Sequence, residues 1–297
     1  MSVFSPAVRK KAKLRLALTG VSGAGKTLGA LYIAYGITGD WSKIALIDTE
    51  HERARFYADR QDLGTGAFLW ASLLPPYSPD KYKNFVADAA TVVGSDGVVI
   101  IDSFSHAWKG SGGVLEIKDK IADQRGKNSY TAWNEAGAAQ NSLVDTILSV
   151  DCHTIVTMRS KMDYVLQEDE HGRVSPKKVG LAPVQRDDTE YEFDIVIDIA
   201  RNHFATTTKD TTFLDDYCAI ITPELGQQLA AWLDDGEEPP RCEECGAVIT
   251  PAKKKSAQQF ADGTRNHTGK SLCVKCWDKW YKEHQKAQEQ NKGQEQQ

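Results

Sequence analysis

The chain has 297 residues, 41% of them apolar, and a formal net charge of −5, which allows one large domain with a sizeable core plus an accessory module. It contains no run of about 18 apolar residues able to span a bilayer, and Met1–Arg15 has no apolar stretch before Leu14, so no secretory signal is expected. Residues 241–297 hold 11 Lys/Arg against 7 Asp/Glu, a balance of +4 that leaves −9 on the rest; this argues against indiscriminate nucleic-acid binding but leaves room for local basic patches.

In chain order, the first element is an apolar run, Leu14 to Leu18, read as a strand. It leads into Gly20-Val-Ser-Gly-Ala-Gly-Lys-Thr27, which fits the phosphate-binding pattern G-x-x-x-x-G-K-[S/T] and opens a helix near Lys26. Glycines at 20, 23 and 25 let the backbone curl so that successive N–H groups face an anion. The positive end of the helix adds to that field. Gly20, Ser22, Gly23, Ala24, Gly25, Lys26 and Thr27 are therefore expected to hold ATP, with Lys26 on the β- and γ-phosphates and the Thr27 hydroxyl on Mg²⁺. Leu28, Leu31, Tyr32 and Tyr35 recur at helical spacing, and Gly36 or Gly39 is expected to end that helix.

Ile44–Ile47 is the next strand, ending in Asp48-Thr49-Glu50-His51. Acids at the carboxyl end of such a strand sit where ligands bind in open α/β sheets. Glu50 is the candidate for polarising an attacking water; the alternative makes Asp48 and Glu50 solvated acids capping the next helix. Pro79–Val93 has Tyr82, Phe85, Val86 and Ala89 on one helical face. Val98–Ile101 is a continuous apolar strand ending at Asp102, a carboxylate expected to hold Mg²⁺ through water. A long helix over Tyr130–Val150 and a strand over Thr154–Met158 follow. Strand–helix alternation of this kind predicts an α/β fold with a mainly parallel sheet flanked by helices.

Beyond Met158, Met162–Leu166 and Arg173–Val179 flank a polar tip, Glu168–Gly172, as in a hairpin. Strands are expected over Phe193–Ile199 and Phe204–Thr208, and a helix over Pro223–Leu233. The acidic, proline-ended segment 235–240 reads as a linker between a domain over 1–234 and a module over 241–284. Residues 285–297, rich in Gln, Lys and Glu, are expected to be a disordered tail or a fraying helix.

The order of phosphate loop, Ile47-Asp48-Thr49-Glu50-His51 and Val98–Ser103 resembles that of the RecA-like recombinase ATPases. The resemblance implies a RecA-like P-loop NTPase core and makes Glu50 the catalytic glutamate, acting beside Lys26 and Asp102. Over residues 13–233 the chain is also similar to phage and prophage nucleotide-binding AAA-type proteins, which include RecA-like single-strand annealing proteins. Trp133, Thr154–Lys161, Pro183–Arg186, Glu190–Asp194 and Ala205–Asp210 carry that likeness. Two positions depart from the pattern. The glutamine that senses the γ-phosphate is absent, leaving Arg159 as its substitute, and the family's Lys-x-Arg is reduced to Lys209. In the family a lysine there reaches the neighbouring subunit's nucleotide, a role open to Lys209 beside that of a plain surface lysine.

The resemblance also implies a DNA-contacting loop after Met158. Lys161, Arg173, Lys177, Lys178 and Arg186, with Tyr164 as a stacking platform, suit single-stranded DNA, although Asp163, Glu168, Asp169 and Glu170 offset much of that charge. Six cysteines include the pairs Cys242-Glu-Glu-Cys245 and Cys273-Val-Lys-Cys276, separated by turn formers and basic residues. Four thiolates in this pattern predict a structural, zinc-ribbon-like Zn²⁺ site in a reducing compartment, with His267 as a competing ligand. Lys253–Lys255, Arg265, Lys270, Lys275 and Lys279, near Trp277 and Trp280, suit nucleic acid there too, unless the tryptophans form a small core. The expectation is a cytoplasmic ATPase, in a bacterial host if phage-encoded. It assembles as a ring or filament on single-stranded DNA, with recombination or replication proteins as partners, and assists recombination or single-strand annealing. A helicase or helicase loader, and a nucleotide-regulated DNA-binding scaffold without enzymatic activity, are the alternatives.

Overall fold

The computed structural model describes residues 7–124, 126–168, 174–253 and 255–294. Residues 169–173, the expected hairpin tip with Arg173, lie outside the described residues, as do Lys254 and the side chains of Tyr164, Lys177 and Lys178. The chain divides into two units. The larger spans Lys13–Trp232, and the smaller combines Met1–Ala12 with Leu233–Gln297.

In the larger unit, β1 (Arg15–Gly20) feeds the glycine loop and α1 (Lys26–Thr38). Gly39, at φ 63°, caps that helix. Gly36 lies inside the helix for another reason: a Cβ there would come within 2.0 Å of the Pro223 carbonyl oxygen, because α6 (Pro223–Asp234) crosses at that point. β2 (Ile44–Asp48) and β3 (Leu69–Ser72) follow, then α2 (Pro79–Val93), capped by Ser78, and β4 (Val98–Asp102). Two short helices, α3 (Ser105–Lys109) and α4 (Val114–Ala122), precede α5 (Ser129–Ser149), whose N-terminus is closed by Asn128 and Thr131 in a capping box.

β5 (His153–Glu168) is one 16-residue strand. The expected core strand and the first hairpin arm are continuous. Its first half is parallel to β1 and β4, and from Ser160 it pairs antiparallel with β6 (Val174–Pro183). β7 (Ile195–Ile199), β8 (Phe204–Lys209) and β9 (Cys218–Ile220) complete the sheet, whose order is β3-β2-β4-β5-β1-β7-β8-β9. All neighbours from β3 to β7 are parallel. Alternate strand residues, among them Ala17, Ile47, Val99, Ile101 and Val156, join Tyr82 and Val86 of α2 and Leu143 and Ile147 of α5 in one buried cluster. Helix α1 packs on β1, β2, β4 and β5.

In the smaller unit, the segment read as a linker pairs with the N-terminal segment: Lys10 bridges Glu237, and Lys11 contacts Glu238 at 2.7 Å. The stretch between the two cysteine pairs forms α7 (Ala257–Thr268), capped by Ser256 and Gln259. Phe260, Ala261, Ile249, Leu272 and Cys242 are buried together, with Trp277 and Trp280 packed against them. The expectation that this stretch holds only turn formers and basic residues is thereby corrected. α8 (Val274–Gln294) runs through most of the polar tail. Among the described residues no helix is long and apolar enough to cross a membrane.

Candidate nucleotide pocket and four-cysteine cluster

The carboxyl ends of β1, β4 and β2, with Arg159 of β5, build the pocket. At the end of β1 the glycine loop must turn sharply, and Gly20 shows why a side chain is barred there. At φ +146°, a Cβ would lie 2.4 Å from the Ile199 carbonyl oxygen of β7. Gly25, at φ +97°, supplies the left-handed residue that starts α1. From the β7–β8 turn, His203 Nδ1 meets the Ala24 carbonyl at 2.9 Å and braces the loop. Lys26 is buried, and its ammonium donates to the carbonyl oxygens of Gly20 and Val21 at 2.8 and 2.9 Å. Burial lowers its pKa, with Asp102 and Glu50 acting against that shift.

At the end of β4, Asp102 accepts from the Thr27 hydroxyl at 2.6 Å and from the Thr157 hydroxyl of β5 at 2.5 Å. Burial raises its pKa despite those two bonds. A hydroxyl and a desolvated carboxylate in contact form the donor set a hard divalent cation takes. Thr27 and Asp102 therefore fit Mg²⁺.

At the end of β2, the two acids divide their roles. Asp48 is buried and braces its own loop, accepting from the Glu50 and Ala54 amides at 2.6 and 3.1 Å and from the Trp70 indole at 3.2 Å. Glu50 instead faces the pocket, where its carboxylate accepts from Arg159 Nε at 2.7 Å. Burial pushes the Glu50 pKa up, but the Arg159 hydrogen bond and charge, helped by His106 and Lys26, leave it below the ordinary value. Thr49 locks this edge to β4: its hydroxyl accepts from the Ser103 amide at 2.8 Å and meets His106 Nδ1 at 2.7 Å.

One cavity of about 260 Å³ is lined by Ser22, Gly23, Gly25, Lys26, Thr27, Glu50, Asp102 and Arg159. These sequence-predicted residues come together from four separate segments. Lys209 does not join them; its ammonium donates to the main-chain oxygens of Tyr191 and Phe193. Arg53, Phe56 and Tyr57 also line the cavity, and the sequence reading missed them. They sit on a five-residue 3-10 helix (Arg53–Tyr57) of which only Ala54 is buried. The available signal was an adjacent aromatic pair just after the acids of β2. Phe56 is 72% exposed, a flat apolar face open to a planar ring.

The cysteines form the second site. The four sulfur atoms of Cys242, Cys245, Cys273 and Cys276 all lie within 4.8 Å of one another, and Cys245 and Cys273 sulfurs are 3.7 Å apart. That is far beyond a disulfide bond of about 2.05 Å, and it matches the spacing of about 3.8 Å that tetrahedral Zn–S bonds of about 2.3 Å require. Burial raises the pKa of Cys242, but amides of Cys273, Cys245 and Glu244 outweigh it and bring it down to about 6. His267 is not in the cluster; its ring packs against Trp277 with centroids 5.6 Å apart.

The basic residues expected to meet nucleic acid are partly engaged by acids. Lys253 pairs with Asp278 at 3.2 Å, Lys270 with Glu244 at 3.4 Å, and Arg265 with Glu243. Arg186 donates to Asn141 at 2.8 Å and shares a cavity with Asp145, Asp187, Asp188 and Glu192.

A family model described as an AAA domain matches residues 12–217, which contain all the residues lining this cavity. No curated protein matches the chain at a significant level.

Proposed function

The chain belongs to the AAA-domain family over residues 12–217, and from that premise we propose that it is a Mg²⁺-dependent ATPase that assists phage-type DNA recombination or single-strand annealing. The observation that carries the enzymatic part is the meeting of Lys26, the Thr27–Asp102 pair and Glu50 in one cavity. Loop amides and Lys26 would cradle the phosphates, replacing the carbonyl oxygens that now hold the ammonium. Thr27 and Asp102 would hold Mg²⁺, which supplies charge neutralisation when bound. Glu50 would orient and deprotonate water, a task suited to a carboxylate kept ionised by its surroundings. Phe56 or Tyr57 would stack on the base.

The DNA part rests on the likeness of residues 13–233 to annealing ATPases and on Lys161 at the start of the hairpin. The ion pairs of Lys253, Lys270 and Arg265 weigh against the cysteine module as a strong phosphate binder. In this reading Zn²⁺ is structural, held by Cys242, Cys245, Cys273 and Cys276. Oligomerisation around the nucleotide and action in the cytoplasm belong to the same proposal.

The test is phosphate release with and without single-stranded DNA. Glu50→Gln is expected to lower turnover by about 100-fold or more, a typical loss for a general base, while Mg·ATP still binds. Lys26→Ala is expected to lose binding itself. Turnover unchanged in Glu50→Gln would remove the ATPase mechanism. Annealing of complementary strands without unwinding separates this reading from a helicase.

A further inference from the structure

The segment between β6 and β7 builds a second cavity, which the ATPase mechanism does not use. Its sequence, Arg186-Asp-Asp-Thr-Glu-Tyr-Glu192, is rich in acids. Asp188, at φ 68°, turns the chain into a 3-10 helix (Thr189–Glu192) that is anchored by the buried Thr189. The cavity, of about 380 Å³, is lined by Asp187, Asp188 and Glu192 from this segment and by Gln140 and Asp145 from α5. That volume falls within the range of small-molecule sites, about 300–1,000 Å³. No residue lines both this cavity and the phosphate cavity.

The lining calls for a cation on two counts. Four carboxylates share it with one guanidinium, and none of the four forms an ion pair among the described residues. Arg186 donates to Asn141 Oδ1 at 2.8 Å instead. The second count is Gln140, which is 1% exposed and whose Oε1 has no hydrogen-bond partner among the described residues. Its neighbours fix which way that amide points. Gln185 donates through Nε2 to the Phe104 carbonyl at 3.2 Å, so its Oε1 is the acceptor for the Arg186 amide at 2.9 Å and for Gln140 Nε2 at 3.0 Å. Turning the Gln140 amide over would set two oxygens against each other. Gln185 is not part of the lining, so the Gln140 nitrogen is turned away from the cavity and the oxygen is the end left to it. A buried acceptor without a donor is costly. A positively charged N–H donor satisfies it and neutralises the acids together. A bare metal ion fits poorly: among the described residues, only the cysteines bring three or more such ligand atoms within 4.8 Å of one another. Alkylammonium groups on a flexible chain can reach acids spread over two elements, and each carries several N–H donors.

We propose that this cavity binds a small organic polyamine, with one ammonium donating to Gln140 Oε1 and the others held by Asp145, Asp187, Asp188 and Glu192. The site goes beyond the ATPase reading and does not rest on it.

The experiment is a calorimetric titration of the full chain with spermidine at low salt, expected to show one saturable site. Exposed carboxylates contribute modestly, so Asp145→Asn and Asp188→Asn are each expected to weaken spermidine about threefold, and the double variant about tenfold. Gln140→Met, similar in length and without the amide, is expected to weaken it about tenfold. Thermal unfolding checks that each variant is folded, and the two exposed acids keep the test decisive if Gln140→Met is not. Asp215→Asn with Asp216→Asn removes two exposed acids that do not line the cavity and should leave the affinity unchanged. Butylamine, with one ammonium, should bind at least about tenfold more weakly than spermidine. No saturable binding by the wild type overturns the proposal, as does equal weakening in the Asp215/Asp216 control, which would mark general attraction to an acidic surface. Displacement by Mg²⁺ as effective as by spermidine would make this a plain cation site and overturn it too. Self-association of the chain that is lost in the Asp145/Asp188 double variant and insensitive to spermidine would assign the acids to a second copy's basic side chain, against a free polyamine.

Discussion

The proposed nucleotide pocket and the four-cysteine cluster would each receive a charged guest, and in our proposal they would depend on it to opposite degrees. Around the pocket the chain already supplies partners: Asp102 has Thr27 and Thr157, Lys26 has the loop carbonyls, and Glu50 has Arg159. Behind them stands a sheet whose β1, β2 and β4 are almost wholly buried. Around the cysteines the buried cluster is only Cys242, Ile249, Phe260, Ala261 and Leu272, with two half-buried tryptophans. A core of that size does not offset the entropy of ordering its own chain. Under that proposal the nucleotide would be received by a finished scaffold, and zinc would complete one.

The sharpest way to break this contrast is to remove the metal. Structural zinc contributes roughly 10–16 kcal/mol to the folding of small modules at neutral pH. Chelation, or Cys242→Ser, is therefore expected to unfold the stretch containing α7 and α8 while Lys13–Trp232 keeps its structure. Limited proteolysis with metal analysis reads the result. One zinc per chain and selective cleavage beyond residue 240 are expected; cleavage that spares α7 after complete metal loss would show that the apolar cluster suffices.

The same contrast governs what could be read from the residues alone. The phosphate loop and Asp102 were legible because their chemistry is local: a glycine pattern between a strand and a helix, and an apolar strand ending in an acid. The cysteine pairs were legible for the same reason. Spacing alone left Asp48 and Glu50 even, since they differ in which one turns toward the loop amides; the structure puts Glu50 in the cavity, and its catalytic role stays part of the proposal. The Arg159–Glu50 contact joins positions 109 residues apart, a relation no local pattern encodes. Strand β3 escaped because it is a four-residue strand at the sheet's end, and α7 because its apolar face is little more than Phe260 and Ala261. Of the two glycines expected to end the first helix, Gly39 does so, and Gly36 lies inside it where α6 approaches.

That glycine offers the next test, now of the scaffold itself. An alanine methyl at Gly36 would meet main-chain atoms of Pro223 and Gly226, at 2.0 and 2.8 Å, and backbone cannot swing aside as a side chain can. Gly36→Ala is expected to destabilise the larger unit by about 3 kcal/mol, the upper range for overpacking. Thermal unfolding followed in that unit should register the loss, and the zinc content should not change. A variant as stable as wild type would mean that α1 and α6 separate at little cost, and that the scaffold is less finished than the contrast requires.

The smallest expected effect concerns acid. His153, at the start of β5, is buried, and its Nδ1 accepts from the Leu14 amide at 3.0 Å. Burial first, then the charges of Lys13 and Arg15, lowers its pKa to about 3, with Asp96 acting weakly in the other direction. In the unfolded chain an imidazole titrates near about 6.5. Between those values the unfolded state binds the extra proton, so stability rises with pH across the window and is lost as pH falls from about 6.5 toward about 3. At about pH 5 the loss amounts to roughly 2 kcal/mol at most, taking 1.36 kcal/mol per unit. His153→Asn keeps an acceptor for the Leu14 amide and removes the titration, so its urea midpoint should fall less than that of wild type between about pH 7 and about pH 5. Acid also protonates zinc-bound thiolates, so the measurement must follow the larger unit alone. Equal losses in the variant and the wild type would assign the acid sensitivity of that unit to other groups, such as His106 and Glu50, whose folded-state pKa values also lie below their ordinary ones.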